Sequence, residues 1–393
     1  MLQLNNPNLA QEYSSTIGSK YTAKEIAGQP KLWKDVFKQV LEQKESLEEF
    51  LAPILSLKNI RIILTGAGSS AFIGESVQGI LQAETGRAVQ AIPTTDLVTH
   101  PELFFLGEAP TLLISFARSG NSPESLETIR LANLYCKRIS HLIITCNGNG
   151  RLIEKCNRKN YYTFILPGAA NDKGLAMTGS FTSMLLSIVL IAKLSHAGNL
   201  QFQFDNMIVN AKKLLGKYLS CIKDVAKSKY ERVIFLGSGP LLGIARECHL
   251  KLQELSDGRV ICKHDSFLGF RHGPRVVANK RSLIVYLFSN DDHVFQYEKD
   301  LAKEIASGSM YIPAVCFGRK IPGLENSILD IELENSTLLP NDFYIIPAVL
   351  TGQLLGFFKS IELGLMPDTP SVSGTINREV QGVNIYNIAT IPG

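Results

Sequence analysis

A run of apolar residues ending in a glycine-rich turn occurs twice in this chain, and the runs that follow it recur at the same interval. Ile60 to Leu64 leads into Thr65-Gly66-Ala67-Gly68-Ser69-Ser70, and Arg232 to Leu236 leads into Gly237-Ser238-Gly239-Pro240. Thr111 to Ser115 is matched by Ser282 to Phe288, and His141 to Thr145 by Ile312 to Phe317, each at an offset of about 170 residues. Tyr162 to Leu166 adds a fourth run to the first half. Continuous apolar runs of this length, separated by helix-like stretches, are what a parallel sheet covered on both faces requires. The pattern predicts an α/β chain of two tandem, doubly wound units, with central, mostly parallel sheets flanked by helices. The expected division is a helical arm over 1–55, a first unit over 56–212, a second over 213–366 and a polar tail over 367–393. In the arm, Leu32, Trp33, Val36, Phe37, Val40 and Leu41 recur at helical spacing, read as a packing arm toward another subunit. In the tail, Val380 to Ile385 has the composition for one added strand, and Asn377 and Arg378 beside Gly374 suit a segment that closes over a site.

At 45% hydrophobic and 19% charged, the 393 residues are globular in composition. The net charge of +4, with no Lys/Arg block, predicts no nucleic-acid partner. Met1 to Asn6 has neither the basic nor the apolar part of a signal peptide. The apolar run Met184 to Ala192 falls short of the roughly 20 residues that cross a bilayer. A cytoplasmic protein without a membrane partner is expected. The seven cysteines (136, 146, 156, 221, 248, 262 and 316) are odd in number and form no C-x-x-C pair, so they read as buried free thiols. No cluster with metal-ligand spacing is apparent, and no cofactor is expected.

Three segments carry chemistry. Gly66 to Ser70 joins a strand to a helix, where free N–H groups receive anions. Its pattern lacks the third glycine of a dinucleotide loop. Arg118-Ser119-Gly120-Asn121-Ser122-Pro123-Glu124 does the same after the second strand, and its two hydroxyls suit a phosphomonoester as well as an ordinary N-cap. The matching loop, Ser289-Asn290-Asp291-Asp292, carries two carboxylates that repel phosphate, so one phosphate site per chain is expected, in the first half. Third, Glu247, Lys251 and Glu254 share a helix face. Spacing alone favours a solvated salt-bridge face, and His272, in Arg271-His272-Gly273-Pro274, would alone mean little.

Together these segments resemble the SIS (sugar isomerase) family, from about residue 28 across both halves. Asn171 to Thr178 and Phe270 to Pro274 resemble in particular its AgaS group of tagatose-6-phosphate ketose/aldose isomerases and galactosamine-6-phosphate deaminases. The isomerase half of glucosamine-6-phosphate synthase is a more distant relative. The resemblance implies tandem SIS domains. It places Ser119 and Ser122 on the phosphate, and Ser69 and Ser70 on the substrate. It makes Glu254 the residue that moves a proton between C1 and C2, and Lys251 its companion. His272 assists ring opening from a neighbouring subunit, which implies a homodimer or higher oligomer with shared sites. Arg118, Asn377 and Arg378 complete the expected substrate contacts; the synthase's C-terminal lysine has no clear match, and Arg378 is the candidate for it. Ala117 replaces the first serine of the family's Ser-x-Ser-Gly, and the Glu-to-His spacing is slightly longer than the synthase's. No glutaminase segment is present, so glucosamine synthesis is not expected.

What remains is isomerisation or catabolic deamination. A glutamate with a pKa raised by burial suits the proton transfer, His272 suits ring opening, and Lys251 suits charge developing on oxygen. The AgaS likeness favours galactosamine 6-phosphate going to tagatose 6-phosphate and ammonia. The alternatives are a plain tagatose-6-phosphate isomerase, or a non-catalytic sugar-phosphate sensor.

Overall fold

The computed structural model describes residues 9–154, 159–335, 339–380 and 382–386. Two five-stranded sheets organise the chain. The first contains β1 (Arg61–Thr65), β2 (Ala88–Ala91), β3 (Thr111–Ala117), β4 (Ile139–Thr145) and β5 (Tyr161–Ile165), in the order β2-β1-β3-β4-β5. The second contains β6 (Arg232–Gly237), β7 (Ile261–Asp265), β8 (Ser282–Leu287), β9 (Ala314–Gly318) and β10 (Ser327–Glu332), in the order β10-β9-β8-β6-β7. Read from the other edge, this is the order of the first sheet, so the duplication seen in sequence is a duplication of topology. Every strand pair is parallel. The expected α/β architecture of two flanked, parallel sheets is the one observed.

The central strands are buried because both faces are covered: every residue of β3 and of β8 is buried. Each first strand ends in a turn with the same backbone. Gly68 has φ 54° and ψ −129°, and Gly239 has φ 54° and ψ −125°. That region is open to glycine alone, and it launches the helices Ser69–Thr85 and Pro240–Leu255 back across their sheets.

One apolar core runs through both halves, joining Phe181 and Phe204 to Phe235, Phe343 and Phe357. The helix Lys20–Glu42 packs into it. Trp33 is fully buried and its Nε1 donates to Thr182 Oγ1 at 2.9 Å, while Phe37 stacks on Phe204 with ring centroids 4.3 Å apart. Of the arm's apolar stripe, Leu32, Trp33, Val36, Phe37 and Val40 are thus buried within its own chain, while Leu41 is exposed. The helix Asn341–Glu362 is long and apolar enough to cross a membrane, but 94% of its most apolar window is buried inside the protein. Its Lys359 ammonium donates to the carbonyls of Ala226 and Ser228 at 3.0 and 2.9 Å. Of the six cysteines described, all free, Cys136, Cys146, Cys248 and Cys316 are buried, but Cys221 is exposed; Cys156 lies outside the described residues.

The helix Pro240–Leu255 is clamped between the halves. A Cβ on Gly243 would sit 2.4 Å from Ser76 Oγ, on the first-half helix. A Cβ on Gly352, in Asn341–Glu362, would sit 2.5 Å from Cys248. Backbones this close fix the helix in register, and with it the side chains it presents to the site.

The tail is tied down at its start. The Asp368 carboxylate accepts from Tyr21 N (3.2 Å), Thr22 N (2.7 Å) and Thr22 Oγ1 (2.8 Å), and its own N–H donates to Gly18 O (2.7 Å). The strand expected within Val380 to Ile385 does not form among the described residues: a strand needs a paired edge, and none is engaged here.

Candidate active site

A cavity of about 360 Å³ opens where the two halves and the tail meet. Its floor is Gly68 and Ser69 at the first turn of helix Ser69–Thr85, at the positive end of the helix dipole. Arg118, just past the end of β3, supplies one wall, and Lys251 and Glu254 of the clamped helix supply another. Thr375 to Val380 of the tail cross over it, so Asn377 and Arg378 face the same space.

Lys251 is 1% exposed and sits between two carboxylates. Its Nζ donates to Glu254 Oε2 at 2.6 Å and lies 3.5 Å from Glu247 Oε1. Burial pulls the Lys251 pKa down, but Glu247 and Glu254 together outweigh it and hold the ammonium above its ordinary value. Lys251 is therefore a fixed cation. Glu247 is completely buried, and neither carboxylate oxygen has a hydrogen-bond partner among the described residues. Burial, against the opposing pull of Lys251, pushes its carboxyl up to about 7. The bland reading of this triad, a solvated salt-bridge face, is overturned for Glu247 and Lys251. Spacing cannot distinguish the two cases, because a buried ion pair has the same i, i+4 signature as an exposed one. Glu254 keeps 23% of its side chain exposed, toward the cavity.

Arg118 is held by backbone. Its Nη1 donates to Leu175 O at 2.9 Å, and its Nη2 donates to the carbonyl of Arg378. Burial and the nearby Arg378 guanidinium pull its pKa below the usual arginine value, offset by Asp172 and Glu254. Arg378 in turn reaches back with Nη2 to Asn171 Oδ1 (2.6 Å) and with Nε to Asp172 O (2.8 Å). The segment between these anchors is organised by Asp172, which is 1% exposed. Its carboxylate accepts from Thr178 N (2.8 Å), Gly179 N (3.1 Å), Ser180 N (2.9 Å) and the hydroxyls of Thr178 (3.1 Å) and Ser180 (2.6 Å). It caps the helix Gly179–Ala192 from outside the helix. Asp172 lies inside the Asn171 to Thr178 segment, and its signal in sequence is an acid shortly before a long apolar helix.

Six of the expected residues thus line one cavity: Ser69, Arg118, Lys251, Glu254, Asn377 and Arg378. Four do not. Ser70 is buried in the helix start beside Ser69. Ser122 is the N-cap of helix Pro123–Tyr135, its Oγ accepting from Ser125 N at 3.3 Å and donating to Ser125 Oγ at 2.7 Å. Ser119 Oγ accepts from Asn121 N at 3.3 Å. Both hydroxyls serve their own turn. His272 is exposed on the loop after β7, flanked by Arg271 and Arg275, which both pair with Glu304. In the second half, Asp291 uses its carboxylate to cap helix Asp292–Ala306, accepting from His293 N and Val294 N at 2.8 and 3.1 Å.

The model of the SIS domain matches residues 54–194. The D-galactosamine-6-phosphate deaminase AgaS of Shewanella sp. (strain ANA-3) is 38% identical over 382 residues, 96% of this chain and 95% of that protein. A solved structure from Clostridium novyi NT superposes with a TM-score of 0.93 at 38% identity, covering 97% of this chain and 100% of that one. The tagatose-6-phosphate ketose/aldose isomerase of Escherichia coli superposes with a TM-score of 0.86 at 32% identity, covering 94% and 97%. With likeness this complete in length and in fold, the chain belongs to the AgaS family of SIS-domain proteins.

Proposed function

We propose that this protein is an enzyme that converts galactosamine 6-phosphate and water into tagatose 6-phosphate and ammonia. The observation that carries the reading is the Glu254–Lys251 pair, set in a cavity with Ser69, Arg118 and Arg378, in a chain that matches an AgaS deaminase over nearly its whole length. An enzyme of this kind opens a sugar ring, moves a proton between adjacent carbons and releases the C2 nitrogen.

In the open-chain sugar, Glu254 takes the proton from C2, and the electron pair moves to form a C1–C2 double bond as the C1 carbonyl becomes a hydroxyl. Lys251, held cationic, stabilises the charge that gathers on O1. Return of a proton to C1 moves the double bond to C2–N. Water then adds to C2, and ammonia leaves as the C2 carbonyl forms. Arg118 holds the phosphate, with Ser69 at the helix start, and Asn377 and Arg378 close the tail over the sugar. This fixes C1 and C2 against Glu254. His272 handles the ring oxygen from a second copy of the chain, so a homodimer is the smallest active unit.

A second reading, isomerisation of tagatose 6-phosphate without deamination, is favoured by the 32% identical E. coli structure, named for that activity. Ammonia release and sugar interconversion, measured on galactosamine 6-phosphate, glucosamine 6-phosphate and tagatose 6-phosphate, separate the two. Ammonia from the galacto compound supports deamination and reports the C4 preference. Turnover of tagatose 6-phosphate alone replaces it with the isomerase.

A further inference from the structure

A second cavity of about 390 Å³, as large as the first, lies along the helix Lys20–Glu42. Gly168, Asn171 and Lys173 line it, while Leu175 and Met177 of the same segment line the substrate cavity. Its charge is lopsided. Lys20, Lys24, Lys31 and Lys173 line it; none is in an ion pair with a described residue, and Lys173 Nζ lies over the Tyr21 ring, 5.4 Å from its centroid. Only Glu25 and Asp35 oppose them. Glu25 is already engaged, since its Oε1 accepts from Lys173 N at 2.6 Å and its Oε2 from Gly174 N at 3.3 Å. Burial, reinforced by Asp172 and Asp368 and opposed by those two N–H groups, raises the Glu25 carboxyl to about 7, which weakens its claim on the lysines further.

The floor of the groove carries an independent sign. Gly28 lies in the interior of helix Lys20–Glu42, where glycine costs about 1 kcal/mol relative to alanine. Nothing lies within 4 Å of where its Cβ would stand, so no neighbour demands a glycine. What the missing side chain preserves is open space in the groove.

We propose that this groove is a second anion site, taking a phosphate-bearing small molecule of about the size of a hexose phosphate, and that its occupancy is transmitted to the substrate cavity through the segment 168–178. The connection is direct. Asn171 lines the groove and accepts from Arg378, which lines the substrate cavity. Two residues beyond Lys173, the Leu175 carbonyl accepts from Arg118. A ligand that draws Lys173 toward itself pulls on both arginine anchors.

The test is the number of pyrophosphate molecules bound per chain, by titration calorimetry, for the intact protein and for Gly28→Leu, Lys24→Glu/Lys31→Glu and Lys24→Met. Gly28→Leu fills the groove with a better helix former, and so remains informative if the charge reversals fail to fold. The proposal expects two sites in the intact protein. In Gly28→Leu and the double variant one of them is lost or weakened at least tenfold, and Lys24→Met weakens the same one. Turnover without added anion should stay as in the intact protein. One site in every protein, as when a second copy covers the groove, or two undiminished sites in every variant, overturns it.

Discussion

Replacing Glu247 by glutamine removes a proton-binding group from the interior while keeping its shape. The side chain is 0% exposed, 3.5 Å from Lys251, and its carboxyl is raised from 4.5 to about 7. At 1.36 kcal/mol per pH unit, that gap is worth about 3 kcal/mol. The sign follows from the direction. A folded pKa above the unfolded one means that folding favours the protonated acid, so the contribution is complete below about pH 4.5 and is lost as pH rises through about 7. Most of it, roughly 2–3 kcal/mol, falls between pH 5 and pH 8. Glu247→Gln has no such proton to lose. Glu25 and Glu298, also raised to about 7, titrate in both proteins and cancel in the comparison. Urea unfolding of both at pH 5, 6, 7 and 8 should show stability curves that diverge, with the variant gaining roughly 2–3 kcal/mol on the parent from pH 5 to pH 8. Parallel curves would refute the reasoning, because they would mean that Glu247 is ionised throughout, as it is in the unfolded chain.

Three further perturbations probe the supports of the site. Arg118→Lys keeps a charge but cannot span the Leu175 and Arg378 carbonyls, so KM for the sugar phosphate should rise about tenfold in steady-state kinetics. Asp368→Ala strips three hydrogen bonds from the tail's junction with helix Lys20–Glu42, two of them with buried Thr22, and should cost about 2–4 kcal/mol in urea unfolding. Gly68→Ala forces a side chain into φ 54°, ψ −129°, and should destabilise by about 1–3 kcal/mol and raise KM through the displaced helix start.

The parts of the fold that were legible in the amino-acid sequence are those buried on both faces. The central strands β1, β3, β6 and β8 are continuous apolar runs, and their repeat interval exposed the duplication before any coordinates. The strands that escaped notice, β2, β7 and β10, stand at sheet edges. They are half exposed and carry residues such as Lys263, His264 and Asp330, which blend into the loops around them. The strand actually found at the remaining edge, β5, is aromatic enough to be read.

At the site, the residues named from resemblance converge only in part, for a physical reason. Ser69, Arg118, Lys251 and Glu254 end rigid strands and helices, so their positions follow from the fold. Ser119 and Ser122 are committed to their own turn, and His272 rides an exposed loop. Asp172 and Glu247 could not be ranked by eye, since their importance lies in partners and burial that only three dimensions supply. The helix Lys20–Glu42 shows the same limit: its periodicity announced an apolar face but not which surface would cover it.

The most direct test of the account is ammonia formation from galactosamine 6-phosphate, measured for the intact chain and for Glu254→Gln side by side, with binding of the sugar phosphate followed separately. The account predicts one ammonia for each tagatose 6-phosphate formed by the intact protein, and turnover reduced at least 100-fold in Glu254→Gln, with binding preserved. No ammonia from the intact protein, or undiminished turnover by Glu254→Gln, would contradict it.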